Sequence, residues 1–386
     1  MNIGRTWPAE RSEYEDKDTG ARVSRLTTYK GHSHHLYFTN PGWYDDGRRM
    51  LFGSDRENRT NLFSIDLESG EITQLTDLDR GARFLGTTVN PKRAEAYFWC
   101  GRALTAINLD SLELRTLWEH PDGFRPSMIN CTADGTYVCG SISEDLTQRF
   151  NTDYHESPGG FRGTCEARPL SRVFRAPTNG GGATGGGGCE TVWEENSWIG
   201  HVNTSPTQAH LLTFCHEGPW AIVDNRIWGL DHNVGEPWKI RERRHPDENV
   251  GHEYWYADGV HVGYHGAAAD GQPYFGHIRH DNTGQVEGVS AGNTGHIHSN
   301  DHTLIVGDGW RGSPGVKLWK WNGESYDGPR LLCTHRSSFH IQQLHVHPRF
   351  NAEGTQVVFT TDRTGYGQVY LADVPEFDSL PEAEDA

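Results

Sequence analysis

Near the end of the chain, Gln342-Gln343-Leu344-His345-Val346-His347-Pro348 sets two imidazoles two residues apart, with an amide side chain three residues ahead of the first. On an extended backbone alternate side chains share a face, about 6.5 to 7 Å apart along the strand, so His345 and His347 can both reach one ion if the backbone curls. A second pair, His296-Ile297-His298, stands earlier in the chain. Three imidazoles drawn from these pairs, with the amide oxygen of Gln342, make a neutral donor set without thiolate. Such a set suits a borderline divalent ion, Mn2+, Fe2+ or Zn2+, better than Ca2+, and the donor types alone do not choose among the three.

The elements that must position these residues belong to an internal repeat. Its unit is a turn, a hydrophobic strand, a loop, a second strand and a closing strand. The turns are Asp46-Gly47, Lys92-Arg93, Asp134-Gly135, Thr207-Gln208, Asp258-Gly259, Asp301-His302 and Glu353-Gly354. Their spacing is about 40 to 50 residues, that of a four-stranded propeller blade, with one longer interval between Asp134 and Thr207. Strands such as Arg49-Met50-Leu51-Phe52, Leu211-Leu212-Thr213-Phe214 and Val357-Val358-Phe359 follow the turns. The segments before the turns approach the central channel, and histidines gather there: His32, His34 and His35, then His201, His252, His296 and His298, and finally His340, His345 and His347.

The fold expected is therefore all-β, a seven-bladed β-propeller forming one domain over residues 1–386. A ring of blades must close to protect its sheet edges. Arg22-Val23-Ser24-Arg25-Leu26-Thr27 resembles Glu71-Ile72-Thr73-Gln74-Leu75-Thr76, the outer strand of blade one, yet precedes any blade of its own. It is the expected missing strand of the last blade. The long interval is read as a blade-three insertion at about 145–190, and residues from about 376 as an acidic tail. The glycine run Asn179 to Gly188 lacks the Lys-Ser/Thr ending of a phosphate-binding loop and reads as a flexible loop.

Composition excludes several classes of function. With 35 Lys+Arg against 52 Asp+Glu, the net charge of −17 is the wrong sign for tracking nucleic acid. No run of 18 apolar residues and no signal-peptide core is present. Seven cysteines without CxxC pairs suit reduced thiols. Together these point to a cytoplasmic protein with no membrane or nucleic-acid partner, and leave the oligomeric state open.

Four segments resemble the oligogalacturonate lyase family: Leu212-Thr213-Phe214-Cys215-His216-Glu217-Gly218-Pro219-Trp220 with Asp224-Asn225-Arg226-Ile227-Trp228; His252-Glu253-Tyr254-Trp255; His296-Ile297-His298-Ser299-Asn300 with Val306-Gly307-Asp308-Gly309; and Gln342 through Pro348. The resemblance implies metal ligands at His296, Gln342, His345 and His347, with manganese as the ion, a Brønsted base at His252 and a substrate-binding cation at Arg226. His298 stands where the family has a nonpolar residue and is a substitute candidate for His296. His216 and His34 are further candidates for substrate contact.

The implied substrate is an oligogalacturonide or related 4-linked oligouronate. Its C5 proton, next to the carboxylate, is weakly acidic; removing it and losing the C4 oxygen leaves a 4,5-unsaturated sugar. A neutral imidazole takes protons near physiological pH, and a guanidinium pairs with carboxylates in bidentate fashion. Two alternatives use the same scaffold: a non-catalytic TolB-like binding propeller, and a metal-assisted hydrolase.

Overall fold

Each turn of the repeat separates the innermost strand of a blade from its second strand. In the computed structural model, which describes residues 2–79, 81–153, 158–180, 188–292, 294–310 and 312–383, the strands form seven antiparallel sheets of four to six strands. The innermost strands are Ser33–His34, Ala82–Val89, Phe124–Cys131, Ile199–Thr204, Asn249–Trp255, Ile297–His298 and Arg349–Phe350. Each blade touches the next around the ring, and blade seven meets blade one. This is the seven-bladed propeller expected from the repeat.

The N-terminal segment closes the ring as expected. Strand Arg22–Arg25 pairs antiparallel with Gln368–Asp373, with Val23 opposite Ala372 and Arg25 opposite Tyr370. Val23 is fully buried, and Leu26 joins the apolar cluster shared by blades seven and one. A further strand, Ser12–Glu15, adds to the same sheet, while Thr6–Trp7 extends blade one.

The core is distributed in layers. Of seven apolar clusters among the described residues, six each sit between two neighbouring blades, and the one between blades five and six also takes in Tyr37 and Phe38 of blade one. Both faces of each sheet are buried in this way, and every fully buried Phe, Leu or Val contributes about 1.5 to 3 kcal/mol. The layering also fixes where each innermost strand stands relative to its neighbours.

The stretch 145–190 contains a helix, Pro158–Ala167, and also blade three's own third strand, Leu170–Pro177. The additional chain is thus concentrated between the second and third strands of that blade. Residues 181–187 of the glycine run lie outside the described residues. The tail from Glu376 packs back on blade six, with Phe377 and Leu380 buried and Glu382 bridged to Arg330; residues 384–386 lie outside the description. No described helix is long and apolar enough to cross a membrane.

Candidate active site

The histidine pair of the last blade is brought together by an irregular backbone, where the spacing alone suggested an extended strand. Gln342–Leu344 forms a 3-10 turn, closed by a hydrogen bond from His345 N–H to the Gln342 carbonyl, 3.2 Å. The chain becomes strand only at Arg349. Between them His347 adopts φ +46°, a left-handed conformation that costs a non-glycine residue on the order of 1 to 3 kcal/mol. This curl brings the two rings to 5.5 Å between centroids. The Val346 carbonyl pins the segment by accepting from His35 Nε2 at 3.2 Å and Thr360 N–H at 3.0 Å.

His296 completes the cluster from blade six. Ligand nitrogens of His296, His345 and His347 all lie within 4.8 Å of one another, and the His296 and His347 ring centroids are 4.3 Å apart. Asp308, fully buried, accepts from the His296 backbone N–H at 2.8 Å and from Nδ1–H at 2.7 Å. A carboxylate on Nδ1 fixes the tautomer, so Nε2 carries the free lone pair. The Nε2 of His347 is buried without a protein hydrogen bond, an arrangement costly to a polar atom unless something else takes it. The side-chain oxygen of Gln342, at the start of the turn, is also buried.

These donors fit a divalent transition ion: three imidazole nitrogens, one held by a carboxylate behind it, and one stranded without a protein partner. Asp308 acts through His296. An Asp308→Asn substitution is expected to weaken metal binding about 10- to 100-fold without unfolding the protein, as read by calorimetric titration of Mn2+.

His298 is turned elsewhere. Its Nδ1 accepts the Phe350 backbone N–H at 3.3 Å, and its ring packs on Tyr254 and Phe350. It lies outside the three-histidine cluster, because only Ile297–His298 is strand and His296 precedes it. Burial pushes the His298 imidazole well below its ordinary range.

His252 stands beside His296, with ring centroids 4.7 Å apart. It occupies a β-bulge between Gly251 and Tyr254 and has φ +49°; His201 sits in the matching bulge of blade four with φ +46°. Bulges of this kind re-aim a side chain out of the strand's regular alternation. His252 Nδ1 is 2.9 Å from His265 Nε2, and the two rings lie within 12° of parallel with centroids 5.2 Å apart. Nearly coplanar rings at that separation form an in-plane N–H···N bond.

Arg226 is buried among acids. Its Nε donates to Glu253 at 3.0 Å, Nη1 to Glu217 at 2.8 Å, and Nη2 lies 3.1 Å from His201 Nδ1. Burial opposes ionisation of Glu253, but the Arg226 charge and the bond to His201 outweigh it and bring the carboxyl down to about 2. His201 Nδ1 is also 3.1 Å from Glu253, to which it donates, so the two carboxylates engage two of the five N–H donors of Arg226. His201, Cys215 and Glu253 also form a metal-sized group, but the Arg226 cation is already bonded to Glu253, and burial pushes the Cys215 thiol well up. That group is an ion-pair network.

The structure places His216 and His34 apart from the cluster. Both His216 nitrogens are taken, by Asp224 at 2.7 Å and Glu195 at 2.9 Å. Burial works against its charge, yet these two partners raise its pKa. His34 is buried with Nδ1 on the His35 carbonyl at 2.9 Å, and burial lowers its pKa. Four contributors escaped the sequence reading: Asp308, His265, the acid pair Glu217 and Glu253, and Tyr37. The Tyr37 ring packs on His347, His201 and His296. A carboxylate between two glycines, Gly307-Asp308-Gly309, was the one visible signal.

Comparison with known proteins agrees with this geometry. The family model described as oligogalacturonate lyase matches residues 1–320. The oligogalacturonide lyase of Pectobacterium atrosepticum is 27% identical, covering 97% of this chain and 99% of the relative. The oligogalacturonate lyase of Dickeya dadantii is 28% identical, covering 94% and 96%. Among solved structures, an oligogalacturonate lyase in complex with manganese superposes with a TM-score of 0.87 at 25% identity, covering 97% of this chain and 99% of that one. The fold of an oligogalacturonate lyase from Vibrio parahaemolyticus gives a TM-score of 0.86 at 23% identity, with the same coverage. A match over most of the sequence, on a fold shared from end to end, settles the affiliation: the chain belongs to the oligogalacturonate lyase family and is an enzyme of that kind.

Proposed function

We propose that the protein cleaves short 4-linked oligogalacturonides by β-elimination, with His296, Gln342, His345 and His347 holding a manganese ion and His252 acting as the base. The observation that carries this reading is the convergence of three imidazoles from two blades on one point, with His252 against His296. The manganese complex of a relative supports the choice of ion, and the relatives' names support the substrate. When bound, the ion supplies Lewis-acid stabilisation to the uronate carboxylate, beside which negative charge develops.

The remaining work falls to side chains of this chain. His252 donates Nδ1–H to His265, which leaves its Nε2 lone pair to take the proton from C5. The C5–H electrons form the C4–C5 double bond as the C4–O bond breaks, and the C4 oxygen departs with its sugar. N–H donors of Arg226 not held by the carboxylates bind substrate oxygen while Glu217 and Glu253 hold the guanidinium in place. Seven free cysteines suit a reducing compartment, in keeping with action in the cytoplasm.

Burial, reinforced by His296, His265, His201 and the Arg226 charge, holds the His252 imidazole well below its ordinary value near 6.5. A depressed pKa keeps the base neutral as pH falls through 6.5. The acid limb of kcat/KM is therefore expected below pH 6.5, and a limb at or above that value would count against His252 as the base.

Product identity tests the reaction. Mass spectrometry of digalacturonate incubated with the Mn2+-loaded protein should give a 4,5-unsaturated uronate, lighter by one water than the hydrolytic product. Two saturated monomers would favour the hydrolase reading instead.

A further inference from the structure

Gly251 and Gly295 directly precede His252 and His296, and each lies under an indole. A β-carbon on Gly251 would stand 3.1 Å from Trp220 Cζ2, and one on Gly295 would stand 3.1 Å from Trp310 Cε3. Both separations are tighter than ordinary carbon contact, so only glycine lets the rings settle this close to the backbone beside the two histidines.

Both indoles are open to solvent. Trp220 is 37% and Trp310 61% exposed, the two tryptophans among the described residues that remain exposed. Among the described residues neither indole N–H has a hydrogen-bond partner. An exposed indole forgoes apolar burial that the other tryptophans obtain, and two of them flanking one polar site call for an occupant.

Their surroundings define its chemistry. Trp220 walls a small cleft with Val223, Arg226, Arg243 and Val250, and with Arg241 and Glu248, which are paired to each other. Arg243 makes its hydrogen bonds to backbone carbonyls and has no carboxylate partner. Trp310 follows Asp308-Gly309, next to the carboxylate that holds His296. Apolar faces beside cations and imidazoles suit a ligand with an apolar face and a charged edge. A uronate pyranose has that form, with axial C–H bonds on its face and a carboxylate on its rim.

We propose that Trp220 and Trp310 are the stacking walls of two sugar subsites, one beside His252 and one beside His296, each taking the C–H face of a uronosyl ring. This rests on the lyase reading above. A wall beside the base and a wall beside the ion-binding histidine hold two successive rings, and so fix which C5 proton faces His252.

The test separates binding from turnover. Digalacturonate is titrated calorimetrically onto Mn2+-loaded His252→Ala protein, and onto the same variant carrying Trp220→Ala or Trp310→Ala. Each tryptophan loss is expected to weaken digalacturonate binding about tenfold, with Mn2+ affinity unchanged, and Trp→Phe at either position should recover most of it. Affinities within twofold of the parent, or no binding of digalacturonate to the parent, would overturn the proposal. A wild-type protein that produces no unsaturated product, while His252→Ala binds digalacturonate in a tryptophan-dependent way, would overturn the lyase reading and leave the subsites standing.

Discussion

A His347→Ala variant is expected to lose Mn2+-dependent turnover of digalacturonate by about a thousandfold or more. His347 contributes a buried Nε2 that has no protein partner, within a cluster whose nitrogens lie within 4.8 Å of one another. Removing one of three imidazoles weakens metal binding and removes the Lewis acid from the reacting carboxylate, where such stabilisation amounts to several kcal/mol and each 1.36 kcal/mol is tenfold in rate. The fold should survive, because His347 belongs to no strand ladder and alanine can replace it in the curl. Initial rates at saturating substrate and a calorimetric Mn2+ titration check the two halves of this expectation. Unchanged turnover with unchanged metal affinity would move the ion elsewhere.

His252→Ala should act differently. Losing a positioned base lowers kcat by about 10² to 10⁴, while Mn2+ affinity stays near that of the wild type, since His252 touches His296 without belonging to the three-histidine set. The contrast between the variants is informative: one loses metal and rate together, the other loses rate alone. His252→Ala protein that keeps full rate would remove this residue from the base role.

Much of the fold was legible because each blade repeats the same strand, turn and strand, and because a lone copy of an outer strand precedes the first blade. The Arg22–Arg25 latch is found where that copy pointed. Strand Ser12–Glu15 was not legible, since Ser-Glu-Tyr-Glu shows no apolar alternation. The helix Pro158–Ala167 opens on Pro-Gly-Gly, residues with poor helix propensity in most positions, so packing rather than local preference sustains it.

The site divides along similar lines. His345 and His347 were visible from their spacing, but the feature that joins them is a 3-10 turn followed by a left-handed residue, which has no marker in the sequence. The distinction between His296 and His298 rests on Asp308, twelve residues after His296 and aligned to it only across the hairpin. His265 reaches His252 over a bulge between neighbouring strands. Arg226 was found, but its binding to Glu217 and Glu253 depends on packing across blades four and five. Contacts made within a strand could be read from the sequence, whereas those made between strands needed the structure.

The most direct test of metal-dependent elimination is ultraviolet absorbance during incubation of digalacturonate with protein stripped of metal and then supplied with Mn2+. The expected result is a flat trace before addition and a steady rise after it, from the conjugated 4,5-double bond. No metal-dependent rise with digalacturonate or any other oligogalacturonide would contradict it.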